Sequence, residues 1–280
     1  MRSRIRRLLR GIRVEPRRSE PEPVGEAEWE RLALRFADDG PGVVGATGGS
    51  GTRVVARVLR RAGMFLGDDL NRSEDALDFA AFSDRWINRY AAGESPPEMS
   101  RELRGLVARQ HADADGRRWG WKEPRSVYLL ELLDRQLPGL RFLHVVRDGR
   151  DMAYSENQVQ LRKHGDAVLG HAREGETDAL RSIALWSEVN LRAADYGERA
   201  LGDRYLRVRF EDLCADPSGT VAGILGFFRL SVDVEGIAAE EVHPPETLGR
   251  WRNATPETTR ALEERAGDAL RRFGYQSSSE

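Results

Sequence analysis

Two stretches of this chain carry groups suited to gripping phosphate. Residues 43–53 read VVGATGGSGTR and residues 147–155 read RDGRDMAYS. In the first, Val43 and Val44 lead into Gly45, Gly48, Gly49 and Gly51, and Thr52 opens a run of helical periodicity through Val54, Val55, Val58 and Leu59. That order predicts a strand, a tight loop and a helix N-terminus, where backbone N–H groups and the helix dipole attract an anion. Glycines let such a loop take positive φ and approach a ligand that a Cβ would hold off. In the second stretch the apolar run Phe142, Leu143, Val145 and Val146 predicts a buried strand ending at Arg147, a turn at Asp148 and Gly149, and a helix over 151–160. A guanidinium at that strand end can hold a phosphate by two parallel hydrogen bonds, and the Ser155 hydroxyl can add a third. Each stretch also has a plain reading, since many nucleotide folds open on a glycine-rich turn and Arg147 and Ser155 could be surface residues.

The elements that must position these groups are legible from periodicity. A lead-in helix at 29–37 precedes strand 43–46 and helix 52–62. A helix carrying Leu77, Phe79, Phe82 and Trp86, with Ser73 as its N-cap, follows, then a helix at 99–109 and a strand at 117–122. A helix at 127–136, the strand at 141–146, a polar insertion or lid at 158–177 and a helix at 178–197 complete the pattern. Strands alternating with helices predict an α/β fold, a parallel sheet flanked by helices, with ligands at the C-terminal strand ends. The glycine loop, Lys122 and Arg147 all fall at such ends.

Taken together, these motifs resemble the sulfotransferase family that uses 3′-phosphoadenosine 5′-phosphosulfate (PAPS). GSGTR at 49–53 resembles the family's phosphosulfate loop, and Arg147 with Ser155 has the spacing of its 3′-phosphate site. RYLRVRFEDLCADP at 204–217 and GRWRNATPE at 249–257 resemble its late motifs, so the likeness covers roughly residues 40–275. The resemblance implies a P-loop NTPase-like sulfotransferase architecture, with a sulfotransferase-like domain at 39–276 after a basic tail and lead-in helix at 1–38. It implies an enzyme moving a sulfuryl group from PAPS to a hydroxyl or amine of a small-molecule or glycan acceptor, leaving adenosine 3′,5′-bisphosphate (PAP). The implied donor-binding residues are Gly48, Gly49, Ser50, Gly51, Thr52, Arg53, Arg147, Ser155 and Arg250.

Departures from the family pattern shape the catalytic assignment. Gly49 stands where the family usually has a loop lysine or arginine, and Val54 where cytosolic relatives have an adenine-stacking tryptophan. Lys122, in WKEPR, resembles the family's strand-end lysine and is the expected replacement cation, although Glu123 and Pro124 follow it and the family's histidine is missing. A carboxylate at the start of a helix in this region serves related glycan sulfotransferases as the base, which points to Glu74 or Asp75, with Glu123 third. Helix-start acids of this kind also simply stabilise the dipole.

Two other readings remain open on sequence. GxxGxxG spacing also suits an NAD(P)-dependent short-chain reductase, but neither Lys122 nor Lys163 has a tyrosine four positions earlier. A catalytically inactive nucleotide-binding module would also account for the missing loop cation.

Composition narrows the remaining classes. With 280 residues, 40% hydrophobic, the chain can bury one substantial core. A net charge of −2 argues against nucleic-acid binding, and no apolar run approaches the ~20 residues of a membrane span. A cytoplasmic, bacterial protein is expected. One cysteine, Cys214, excludes an intrachain disulfide, and the five histidines show no metal-ligand spacing, so no metal is expected. Of 44 basic side chains 42 are arginine, a bias that fits a GC-rich genome. Eight of them lie in the first eighteen residues, where a short basic helix could touch an anionic membrane surface.

Overall fold

The computed structural model describes residues 23–275; the basic segment of the first eighteen residues lies outside them. Four parallel strands, β1 (Gly42–Ala46), β2 (Gly120–Lys122), β3 (Arg141–Val146) and β4 (Tyr205–Arg209), form one sheet in the order β2-β1-β3-β4. Ahead of β1 runs α1 (Glu26–Asp39). Between β1 and β2 lie α2 (Thr52–Arg61), α3 (Leu77–Ala91) and α4 (Pro97–Ala114). A 3-10 turn at Pro124–Leu129 and α5 (Leu130–Gln136) lead to β3. After it come α6 (Gly149–Ala153), α7 (Val159–Leu169) and α8 (Asp178–Tyr196), and beyond β4 come α9 (Phe210–Ala215), α10 (Pro217–Phe227), α11 (Val234–Glu241) and α12 (Pro256–Arg272).

Strand periodicity divides the core into two layers. Val43 and Phe142 point into a cluster with Phe79, Trp86, Leu103 and Trp121. Val44, Leu143 and Val145 point the other way, onto Val55, Leu59, Ile224 and Phe228. Because successive side chains alternate faces, one apolar run serves both layers and the sheet is covered on both sides. A third cluster joins Met152, Trp186, Leu270 and Phe273, so that α12 closes over α8 and α6. Trp29 and Phe36 of α1 are buried in the first cluster.

Several local expectations require correction. Ser73 does not cap α3: its N–H donates to Asn71 Oδ1 at 2.7 Å within a turn, and α3 starts only at Leu77 after extended Ala76. The single helix expected over 151–160 is broken at Tyr154, because α6 lasts five residues and Gln158 caps back by donating its side-chain N–H to Met152 and Ser155 carbonyls. Ser155 therefore sits in the irregular link between α6 and α7 rather than on a helix face. Most of the expected lid is α7, which packs on α3 and α8. Pro124 tightens the first turns after β2 into a 3-10 helix, delaying the expected helix to Leu130. No helix among the described residues is long and apolar enough to cross a membrane.

Candidate active site

From β1 the chain passes to β2 on one side, and from β3 to β4 on the other, so the loops after β1 and β3 diverge. A crevice at the carboxyl ends of these strands is the expected result. The structure has a cleft of about 620 Å³ there, lined by the glycine loop, the ends of β2 and β3, the segment after α6 and the loop before α12.

The glycine loop turns through two left-handed residues, Gly49 at φ 85° and Gly51 at φ 83°. At Gly51 glycine is required twice over, because a Cβ there would lie 2.2 Å from the Phe210 ring. Gly48, Gly49, Gly51, Thr52 and Arg53 all line the cleft, with Thr52 beginning α2. Ser50 is turned inward, its hydroxyl donating to the Thr47 carbonyl at 2.7 Å, and does not line the cleft.

Arg147 stands beside this loop at 3% exposure. Its Nη2 donates to Asp151 Oδ2 at 2.9 Å and to the Thr247 carbonyl at 2.5 Å, while Nη1 reaches the Gly49 carbonyl at 3.5 Å. Asp151 in turn accepts from the backbone N–H groups of Gly249 at 2.8 Å and Trp251 at 3.2 Å. This buried pair thus ties the end of β3 to the loop before α12. Arg250, also lining the cleft, donates to the Tyr154 carbonyl at 3.2 Å, and burial together with Arg147 pushes its pKa down. Ser155 lines the same wall, and its hydroxyl accepts from Asn157 N–H at 3.2 Å.

Across the loop, β2 delivers Lys122 at 1% exposure. Its Nζ donates to the Ser73 carbonyl at 2.6 Å and pairs with Asp75. Burial lowers its pKa, opposed by the Asp75 carboxylate. Asp75 lines the cleft and accepts from Asn71 Nδ2 at 2.9 Å. Glu74 is brought elsewhere: it takes a left-handed backbone at φ 63°, pairs with Arg60 of α2 and does not line the cleft. Glu123 is 2% exposed, held by Ser83 Oγ at 3.0 Å and Arg125 Nε at 2.8 Å. Burial pushes its carboxyl pKa up, with Arg125 opposing.

Of the twelve candidate residues, all but Ser50 and Glu74 therefore line one cleft. Sequence reasoning missed Arg125, Lys163, Asn71 and Thr247 on its walls. Arg125 stood in plain view three residues past Lys122, and Lys163 is the chain's other lysine. Asn71 and Thr247 carried no local signal, since their place depends on loop packing. The lining holds six cations, Arg53, Lys122, Arg125, Arg147, Lys163 and Arg250, against the carboxylates Asp75 and Glu123. Such a surface concentrates field on a polyanion.

The sequence profile of the sulfotransferase family matches residues 46–234, about two thirds of the chain. None of the curated proteins matches it in sequence. Among solved structures, the sulfotransferase domain from the Synechococcus PCC 7002 olefin synthase is similar at TM-score 0.54 and 16% identity, covering 84% of this chain and 94% of that one. The sulfotransferase domain from the curacin biosynthetic pathway gives TM-score 0.50 and 11% identity, covering 84% and 98%. Sulfotransferase STF1 from Mycobacterium tuberculosis H37Rv gives TM-score 0.49 and 17% identity, covering 86% and 82%. The first two likenesses concern the fold.

Proposed function

Because the chain belongs to the sulfotransferase family, we propose that it moves the sulfuryl group of PAPS to a hydroxyl or amine on a small-molecule or glycan acceptor. The observation that carries this reading is one cleft lined at once by a glycine cradle, by Arg147 and Ser155, and by the Lys122–Asp75 pair. The donor, when bound, supplies a sulfuryl group whose transfer releases PAP. Its several negative charges fit the donor set: backbone N–H groups at the start of α2, left-handed glycines with no Cβ to obstruct them, and three arginines.

Residue roles follow from chemistry. The loop backbone from Gly49 to Arg53, with the Thr52 hydroxyl and Arg53, binds the 5′ end. Arg147, Ser155 and Arg250 bind the 3′-phosphate, Arg147 being pre-oriented by Asp151 so that little freedom is lost on binding. Lys122 stabilises charge on the leaving oxygen, the part played elsewhere by a loop lysine and absent here at Gly49. Asp75 holds the acceptor proton as the base, while Glu74 lies against Arg60 and Glu123 is buried under Arg125 and Ser83. We assign the catalytic domain to residues 39–276, with α1 contributing packing, and place the enzyme in the cytoplasm of a bacterium.

Calorimetry tests the donor assignment. PAP binds more tightly than AMP, and Arg147→Ala reduces this difference by about 2 kcal/mol, the scale of a charged hydrogen-bonding pair. Equal affinities for PAP and AMP, or tight binding of NADPH in their place, would overturn it.

A further inference from the structure

Lys163 is the observation that the donor reading leaves unused. The chain has 42 arginines and two lysines, and both lysines line the cleft. Lys163 stands on α7 and its side chain is 45% exposed. Its Nζ meets Asp84 Oδ1 at 2.6 Å, and Arg125 reaches the same oxygen with Nη1. Arg125 is further fixed by Glu123 and by the Ala80 carbonyl, to which Nη2 donates at 3.0 Å. Asp84, however, belongs to α3 and does not line the cleft. Two cations thus face the cleft while sharing the Asp84 carboxylate behind them, and Arg125 is paired in addition with the buried Glu123. Of the lining residues near Lys163 in sequence, Asn157 and Gln160 are polar and Val159 is apolar, and the apolar lining residues bonded to Arg125 or next to it in sequence are Ala80 and Pro124.

A compact ammonium on a flexible stem, next to a rigid guanidinium fork, can follow an anion of variable position. Arg125 follows the strand end that carries Lys122, and both Arg125 and Lys163 are tied to α3 through Asp84, whereas Arg147 is tied to the glycine loop and to Thr247. Building on the sulfotransferase reading, we infer that Arg125 and Lys163 form an acceptor subsite for an anionic group, so that the acceptor is a polar, hydroxyl-bearing molecule that also carries a phosphate, sulfate or carboxylate. Asp84 is the internal counter-ion that this group displaces or shares. A neutral apolar acceptor would leave both cations and their polar neighbours poorly solvated.

Inorganic phosphate is the probe, titrated by calorimetry into full-length protein already saturated with PAP, so that the nucleotide positions of the donor site are filled and the response to Lys163→Gln separates the subsite from the vacant sulfuryl position. Wild type binds a further phosphate at millimolar concentration. Lys163→Gln weakens it about tenfold, the scale of one charge-assisted hydrogen bond at a partly solvated site. Asp84→Asn, which removes the competing carboxylate, tightens it, and neither variant alters the affinity for PAP. Absence of phosphate binding to the PAP-saturated protein, or equal binding by wild type and Lys163→Gln, overturns the acceptor subsite. Failure to bind PAP at all is a different result and overturns the sulfotransferase reading on which this inference rests.

Discussion

At the residue scale, the proposed transfer turns on Lys122. It is nearly fully buried, ion-paired and hydrogen-bonded to a backbone carbonyl, and those two partners offset a desolvation cost of several kcal/mol. Its pKa is lowered by desolvation, yet the Asp75, Glu123 and Glu74 charges oppose that shift. If Lys122 acts on charge that develops in the transition state, Lys122→Ala lowers the turnover of PAPS by about a hundredfold while the affinity for PAP changes by less than about threefold. Slow hydrolysis of PAPS, which needs no acceptor, gives the rate, and calorimetry gives the affinity. An unchanged rate moves the role to Arg53, which also lines the cleft.

At the scale of elements, the glycine loop is held by what lies behind it. Phe210, at the start of α9, packs so close to Gly51 that any side chain there collides with its ring. Gly49 has more room, its nearest neighbour being the flexible Met152 Cε at 3.1 Å from an added Cβ. Gly51→Val therefore destabilises the fold by about 2 to 4 kcal/mol through overpacking and left-handed strain, whereas Gly49→Ala costs about 1 kcal/mol, chiefly from its backbone conformation. Thermal or urea unfolding separates the two. Equal destabilisation would mean that Phe210 yields easily and does not brace the loop. The same distinction bears on binding studies, since Gly49→Ala probes the cradle with the fold preserved.

On the scale of the whole molecule, two histidines tie the layers together in their neutral form. His144 on β3 is fully buried between Tyr205 Oη at 2.6 Å and Asn190 Oδ1 at 2.8 Å, joining the sheet to α8. His164 on α7 meets Asn88 Oδ1 of α3 at 2.7 Å. Burial pushes both pKa values down to about 4. The unfolded chain therefore binds protons first, and stability is complete above the ordinary histidine pKa of about 6.5 and falls as pH drops from there toward 4. Each histidine contributes a loss of up to roughly 3 kcal/mol over that window. Urea unfolding at pH 7.5 and pH 4.5 measures the total, and His164→Gln flattens the slope. A stability independent of pH across this range would show that the histidines are accessible to protons in the folded state.

Sequence alone determined the parts of this protein that depend on local rules. Alternation and apolar runs marked β1, β3 and the long helices, because a strand buried on both faces and a helix with one apolar stripe leave periodic traces. The glycine loop and Arg147 were legible for the same reason: positive φ and a cation at a strand end are written in residue type. Tertiary structure alone decided which acid faces the cleft. Glu74 and Asp75 are neighbours of the same charge, and only the turn held by Asn71 and the left-handed backbone at Glu74 send one to Lys122 and the other to Arg60. It also decided that Ser50 turns inward and that Lys163, some forty residues beyond Lys122 in sequence, shares a carboxylate from α3 with Arg125. Such pairings join residues distant in the chain, and no local periodicity encodes them because their geometry exists only once the layers have packed.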